Sequence, residues 1–169
     1  VMNNPYGVGD EVGEWLEIFN NSDSDIDLNG LEVSDNGDDS FTVTESILIP
    51  SREHVVLGLS MDTAVNGGVT ASFAYTGFVL SNSADEVILS HNGRVLDEMV
   101  YSADLGYGMS AGKSLSLHVD KYDFNDNDLA ESWCPSPTEF GSLGDYGTPG
   151  EMNPVCPAVE DADGDGFDN

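Results

Sequence analysis

The sequence predicts an all-β fold built as two antiparallel sheets packed face to face. Three observations predict it. Short runs of alternating or continuous apolar residues recur along most of the chain, separated by turn-forming Asn, Asp, Gly and Pro. Two alternating runs flank Asn92-Gly93, the strongest short-range hairpin dipeptide. No segment sustains a helical period with capping residues at its ends.

Taken in order, Val1-Met2 reads as the stub of a first strand, ended by Asn3-Asn4-Pro5-Tyr6-Gly7. Gly13-Glu14-Trp15-Leu16-Glu17-Ile18-Phe19-Asn20 is the most strand-like run near the start. Side chains alternate on a strand, so Leu16 and Ile18 share one face and Trp15, Glu17 and Phe19 the other. Both faces are largely apolar, which suits a strand inside a sandwich better than one at a wet edge. Residues 20–25 stop it with turn-forming side chains. Residues 26–35 alternate around a turn at Asn29-Gly30. Residues 41–43, 47–49, 53–59 and 72–75 are further short strands, with a loop over 60–70. The hairpin pairs residues 86–91 with 94–101, and 114–119 form the last strand. After Asp120 the regularity fades into loop, with Trp133 as an anchor. Eight or nine short strands with frequent turns make an immunoglobulin-like antiparallel β-sandwich.

Length and charge bound the rest. The 169 residues hold one domain over 1–157 and a short acidic appendage over 158–169. Both ends read as cut from a longer chain. There are 32 Asp and Glu against 4 Lys and Arg, a formal net charge of -28. Such a surface repels phosphate backbones and anionic membranes, so neither nucleic acid nor direct membrane insertion is expected. The acids act as a solvated coat, or some ligate a hard cation such as calcium. Cys134 and Cys156 both lie in Pro-rich, loop-like sequence. A disulfide between them would close about 20 residues and stabilise by roughly 3 kcal/mol. Loop placement, the acidic surface and the even count favour an oxidising compartment; two free thiols in a cytosolic protein are the alternative.

With these residues laid out, the chain resembles the lamin tail domain as it occurs in secreted and surface proteins of bacteria. The resemblance rests on Met2-Asn3-Asn4-Pro5, residues 13–20 and Ile26-Asp27-Leu28-Asn29-Gly30-Leu31. It continues through Leu80-Ser81-Asn82-Ser83-Ala84-Asp85-Glu86-Val87, Gly112-Lys113-Ser114-Leu115 and Trp133, and ends at Gly147-Thr148-Pro149-Gly150-Glu151-Met152-Asn153. The family usually has Trp where Leu31 stands. The resemblance implies an immunoglobulin-like sandwich without enzymatic activity, used as an interaction module. In bacteria such domains sit beside hydrolases, adhesion modules and surface anchors, so an extracellular or cell-surface location is expected.

The sharpest chemical candidate is the C-terminal run, residues 161–169. Alternate carboxylates followed by glycine let a tight loop wrap one calcium ion with oxygen ligands. Asp161, Asp163 and Asp165 fill the first, third and fifth places of such a loop. Gly166 is the turn, Phe167 offers its carbonyl and Asn169 falls at the ninth place. The run also resembles the start of a thrombospondin type 3 repeat; a disordered acidic linker is the alternative. Asp123, Asn125 and Asn127 share the spacing, but Asp128 replaces the glycine and a solvated loop is preferred. Turn capping accounts for Asp23, Asp25 and Asp27, and for Asp35, Asp38 and Asp39.

Catalysis is not expected. Glu14 and Glu17 are three residues apart on a strand and point to opposite faces. Glu17, between Trp15 and Phe19, reads as a partly buried acid that ties down loop amides. His54, His91 and His118 lie on separate strands, and no nucleophile motif or phosphate-binding glycine loop appears. The expected function is a non-catalytic interaction or scaffolding module whose partner is a protein or polysaccharide at the cell surface. The runner-up is a carbohydrate-binding module attached to a secreted hydrolase. Its stacking platform would come from Trp15, Phe19, Tyr75, Phe78, Tyr101, Tyr107 and Trp133, most of which read as core.

Overall fold

The structure is a computed structural model that describes residues 1–157. After a four-residue helical turn, α1 (Asp10–Gly13), the chain enters β1 (Trp15–Phe19), β2 (Ile26–Asp27) and β3 (Leu31–Ser34). There follow β4 (Ser40–Thr42), β5 (Leu48–Ile49), β6 (His54–Gly58) and β7 (Phe73–Ala74). The long hairpin is β8 (Ala84–His91) and β9 (Arg94–Ser102). Last come β10 (Leu115–Leu117), β11 (Trp133–Pro135), β12 (Glu139–Phe140) and β13 (Asp145–Tyr146).

One sheet runs β1-β6-β7 and the other β4-β3-β8-β9. Leu16, Val55 and Leu57 from the first meet Val33, Phe41 and Val87 from the second, with Tyr75, Phe78 and Leu80 filling between them. This is the predicted all-β sandwich. One pair departs from the antiparallel rule: β7 lies parallel to β6, with Leu57 opposite Phe73.

The two apolar faces of β1 have separate partners. Leu16 joins the core between the sheets, while Trp15 and Val56 pack outward under Met2, Val69, Ala71 and Phe140. The loop over 60–70 and β12 therefore form a lid on the back of the first sheet. β1 is nonetheless the end strand of its sheet, paired along its length with β6 and bridged on its other side, among the described residues, only at Trp15, which exchanges backbone bonds with Met2.

The hairpin follows its turn chemistry. Asn92 and Gly93 both have positive φ, 52° and 74°, the backbone that twists a two-residue turn into line with its strands. His91 pairs with Arg94, and a bulge next to Leu89 leaves Leu96 as the extra residue of β9. The turn at Asn29-Gly30 does a different job. Strand β2 pairs with β5 and β3 with β4 and β8, so this turn passes the chain between sheets and makes no hairpin. Leu31, where the resembled family carries Trp, is buried in the core.

The stretch after Asp120, expected to be loop, carries three short strands. β11 pairs with β10, and β12 with β13. Each has two or three residues, so no period could reveal it; tertiary pairing selects these segments.

Candidate functional site

Three polar side chains spaced three apart on and beside β1, Glu14, Glu17 and Asn20, fasten other segments to this strand. At its entrance the Glu14 carboxylate accepts the Leu80 amide at 2.9 Å through Oε2. Glu17 Oε1 accepts the Gly150 amide at 2.6 Å, the loop-tying role expected of it. The Asn20 side-chain amide donates to the carbonyls of Ser24, Ile49 and Pro50 at 2.8, 2.9 and 3.1 Å. Each residue thus fastens a segment far from it in sequence. Burial pushes both glutamates up to about 7, with the amide hydrogen bond each accepts pulling the other way.

The Leu80–Asp85 segment is held from four directions. Besides Glu14 on Leu80, Tyr101 Oη and Asn3 Nδ2 both donate to the Ser81 carbonyl, at 2.8 and 3.0 Å, and Ser81 N–H donates to Asp85 at 2.7 Å. The motifs that carry the family resemblance are therefore mutual fasteners rather than a reactive centre.

The acidic clusters behave as caps. Asp27 accepts from the amides of Asn29 and Ile47 and from Ser46 Oγ, which holds its carboxyl below the usual range. Asp25 accepts the Ser51 amide, Asp23 pairs with Arg52, and Asp35 accepts the amides of Gly37 and Asp39. Asp123 turns back on Asn125, and Asn127 donates to Asp97 at 2.8 Å. Among the described residues no group of three or more His, Cys, Asp and Glu could hold a metal ion. The calcium loop proposed on Asp161, Asp163, Asp165, Phe167 and Asn169 lies outside the described residues. Cys134 and Cys156 are joined in a disulfide, with Cα atoms 5.7 Å apart.

Five of the seven aromatics considered for sugar stacking, Trp15, Tyr75, Phe78, Tyr101 and Tyr107, are buried. Of the remainder, Phe19 stacks on Tyr122 and His54, at 4.2 and 4.6 Å between ring centroids. These rings pack the sandwich and its rim.

Two surfaces remain without an internal role. One is the outer edge of β9, the last strand of the four-stranded sheet. Val95, Leu96 and Val100 are exposed there, the first two by more than half, at 55% and 51%. The other is a mainly apolar cleft of about 280 Å³ between β1 and β10, lined in part by Glu17, Phe19, Asp97, Leu117 and Trp133. Sequence reading missed both. The signal for the cleft was Asp97, a carboxylate on the inward register of Met99 and Tyr101, whose pKa burial raises against the Asn127 hydrogen bond.

An immunoglobulin-like sandwich whose polar motif residues fasten its own segments together defines the class of protein to which the chain belongs. The family model described as Lamin Tail Domain matches residues 1–103, and the chain belongs to that family. No curated protein matches the chain.

Proposed function

We propose that this domain is a non-catalytic docking and spacing module of an exported bacterial protein, acting outside the cell, and that β9 is its docking edge. The observation that carries the reading is that edge. Nine residues long, β9 pairs with β8 on one side only, and among the described residues no backbone bond reaches its outer side over 94–101. An open edge of this length accepts an added strand through main-chain hydrogen bonds. Exposed Val95, Leu96 and Val100 supply apolar contact, and the acids Glu86 and Glu98 beside them favour a basic partner segment. The disulfide supports an oxidising compartment. The acidic run over 161–169 then begins a calcium-stiffened repeat of thrombospondin type 3 kind. Lamin tail domains being interaction modules, edge contact rather than bond chemistry is the mechanism.

The test is to select binding peptides from a displayed random library and map them by amide chemical shifts. Basic, extended peptides that perturb Arg94–Ser102 are expected. Binders that leave those amides untouched would remove the docking edge from this reading.

A further inference from the structure

At the end of the β8–β9 hairpin away from its Asn92-Gly93 turn, residues 3–4, 82–83 and 103–111 converge around a polar cavity of about 410 Å³. Small-molecule sites span roughly 300–1,000 Å³. The composition of this one sets it apart from the surface around it. On a chain of net charge -28, none of the described residues that line it is charged. Its polar groups are amides and hydroxyls instead, from Asn3, Asn4, Asn82, Ser83 and Ser110.

The amides are set in advance. Asn3 is only 3% exposed and gives its Nδ2 to the Ser81 carbonyl at 3.0 Å, which leaves Oδ1 as its remaining acceptor. Asn82 gives its Nδ2 to Asp10 at 2.9 Å, and again Oδ1 is left. Neither oxygen, nor the side chain of Asn4, has a hydrogen-bond partner among the described residues. A nine-tenths buried acceptor calls for a donor from whatever fills the cavity. The walls are held as well. Gly112 N–H donates to the Asn4 carbonyl at 2.7 Å, Lys113 N–H to the Ser110 carbonyl at 3.0 Å and Met109 N–H to the Tyr107 carbonyl at 2.9 Å. Binding therefore does not have to order them.

We propose that this cavity binds a neutral saccharide unit through its hydroxyls, with Asn3, Asn4 and Asn82 as the recognising side chains. Two oriented carbonyl acceptors beside a free amide suit a ligand that donates and accepts at neighbouring positions without carrying charge. Vicinal sugar hydroxyls do both. An anion meets no cationic group here, and the field of the whole chain repels it. An ammonium meets no carboxylate to offset its desolvation. Buried Tyr107 and half-buried Met109 supply apolar surface for the C–H groups of the ring. Recognition is by amides, unlike the aromatic platform weighed from the sequence, with which the cavity shares Tyr107 alone. The site uses no residue of the β9 edge, and neither proposal depends on the other.

The test titrates the isotope-labelled chain with glucose, galactose, mannose, N-acetylglucosamine and their short oligomers, and follows backbone and side-chain amide shifts. Tetramethylammonium and acetate serve as charged comparisons. At least one saccharide is expected to shift the Asn4 and Asn82 side-chain amides and the backbone over 107–111 saturably, with no weakening as salt is raised. Asn4→Ala and Asn82→Ala should each reduce that affinity by about tenfold while the amide spectrum elsewhere stays in place. A saccharide panel that leaves these resonances unmoved overturns the proposal. So does saccharide binding that maps elsewhere or survives both substitutions undiminished. Tighter binding of either charged compound at these resonances, weakening with salt, overturns it too, since the cavity would then select for charge.

Discussion

Glu14 and Leu80, 66 positions apart, are joined by one hydrogen bond: the carboxylate Oε2 accepts the Leu80 amide at 2.9 Å inside the sandwich. Glu14→Ala removes the acceptor and leaves a buried donor unsatisfied, an expected loss of about 1–3 kcal/mol. Glu14→Gln keeps an acceptor oxygen at the same place and should lose less. Urea unfolding of both variants checks the order.

The pH dependence has a definite sign. Glu14 and Glu17 titrate at about 7 when folded, against a usual value of 4.5. Between those two values the folded state holds protons that the unfolded state has released, so stability falls as pH rises through the window and levels off above it. Self-repulsion of the net charge of -28 adds in the same direction. Thermal melts should give a higher Tm at pH 5.5 than at pH 8, and the double variant Glu14→Gln, Glu17→Gln should flatten that slope.

Asn20 is the most heavily used polar side chain of β1's flank, donating to three carbonyls and accepting the Ser22 amide. Asn20→Ala strands several buried groups at once and is expected to cost about 2–3 kcal/mol. Asn20→Asp retains the acceptor but lacks the donors, and should be nearly as destabilising by denaturant titration.

Removing the Cys134–Cys156 bond frees a segment with ends 22 residues apart. Cys156→Ser should lower stability by about 3 kcal/mol in the chain-entropy account. Adding a reductant to the unaltered protein should reproduce the shift, which separates the crosslink from any packing by the serine.

For the calcium proposal, the chelator-stripped protein is titrated calorimetrically with calcium at physiological salt. A saturable heat with a raised Tm is expected, and Asp163→Asn with Asp165→Asn should abolish both. Retention of the heat in that variant would move the site away from the acidic run; no heat at all would leave the acids as a solvated coat.

How much of this was legible follows from the range of each interaction. The β8–β9 hairpin was readable because Asn92-Gly93 carries its own backbone preference. The two-sided burial of β1 was readable because Trp15 and Leu16 advertise opposite faces of one strand. Asp145 was not singled out, although it is buried and accepts the amides of Tyr6 and Gly7, because nothing local distinguishes it from the many exposed acids. The strands after Asp120 were missed because residues distant in sequence choose them.

The disulfide also sets how the domain carries tension. A pull on the chain beyond residue 157 reaches Cys156 and crosses directly to Cys134 in β11, bypassing the segment between them. The β12–β13 pair and Gly150, whose amide the Glu17 carboxylate of β1 holds, lie within that segment and are shielded from load. Force instead enters the β10–β11 ladder, and the protected slack, about 70 Å when fully extended, is released only when the sulfur bridge is reduced. Under load, the redox state of one bond would decide whether this domain behaves as a fixed link or as one that lengthens before it breaks.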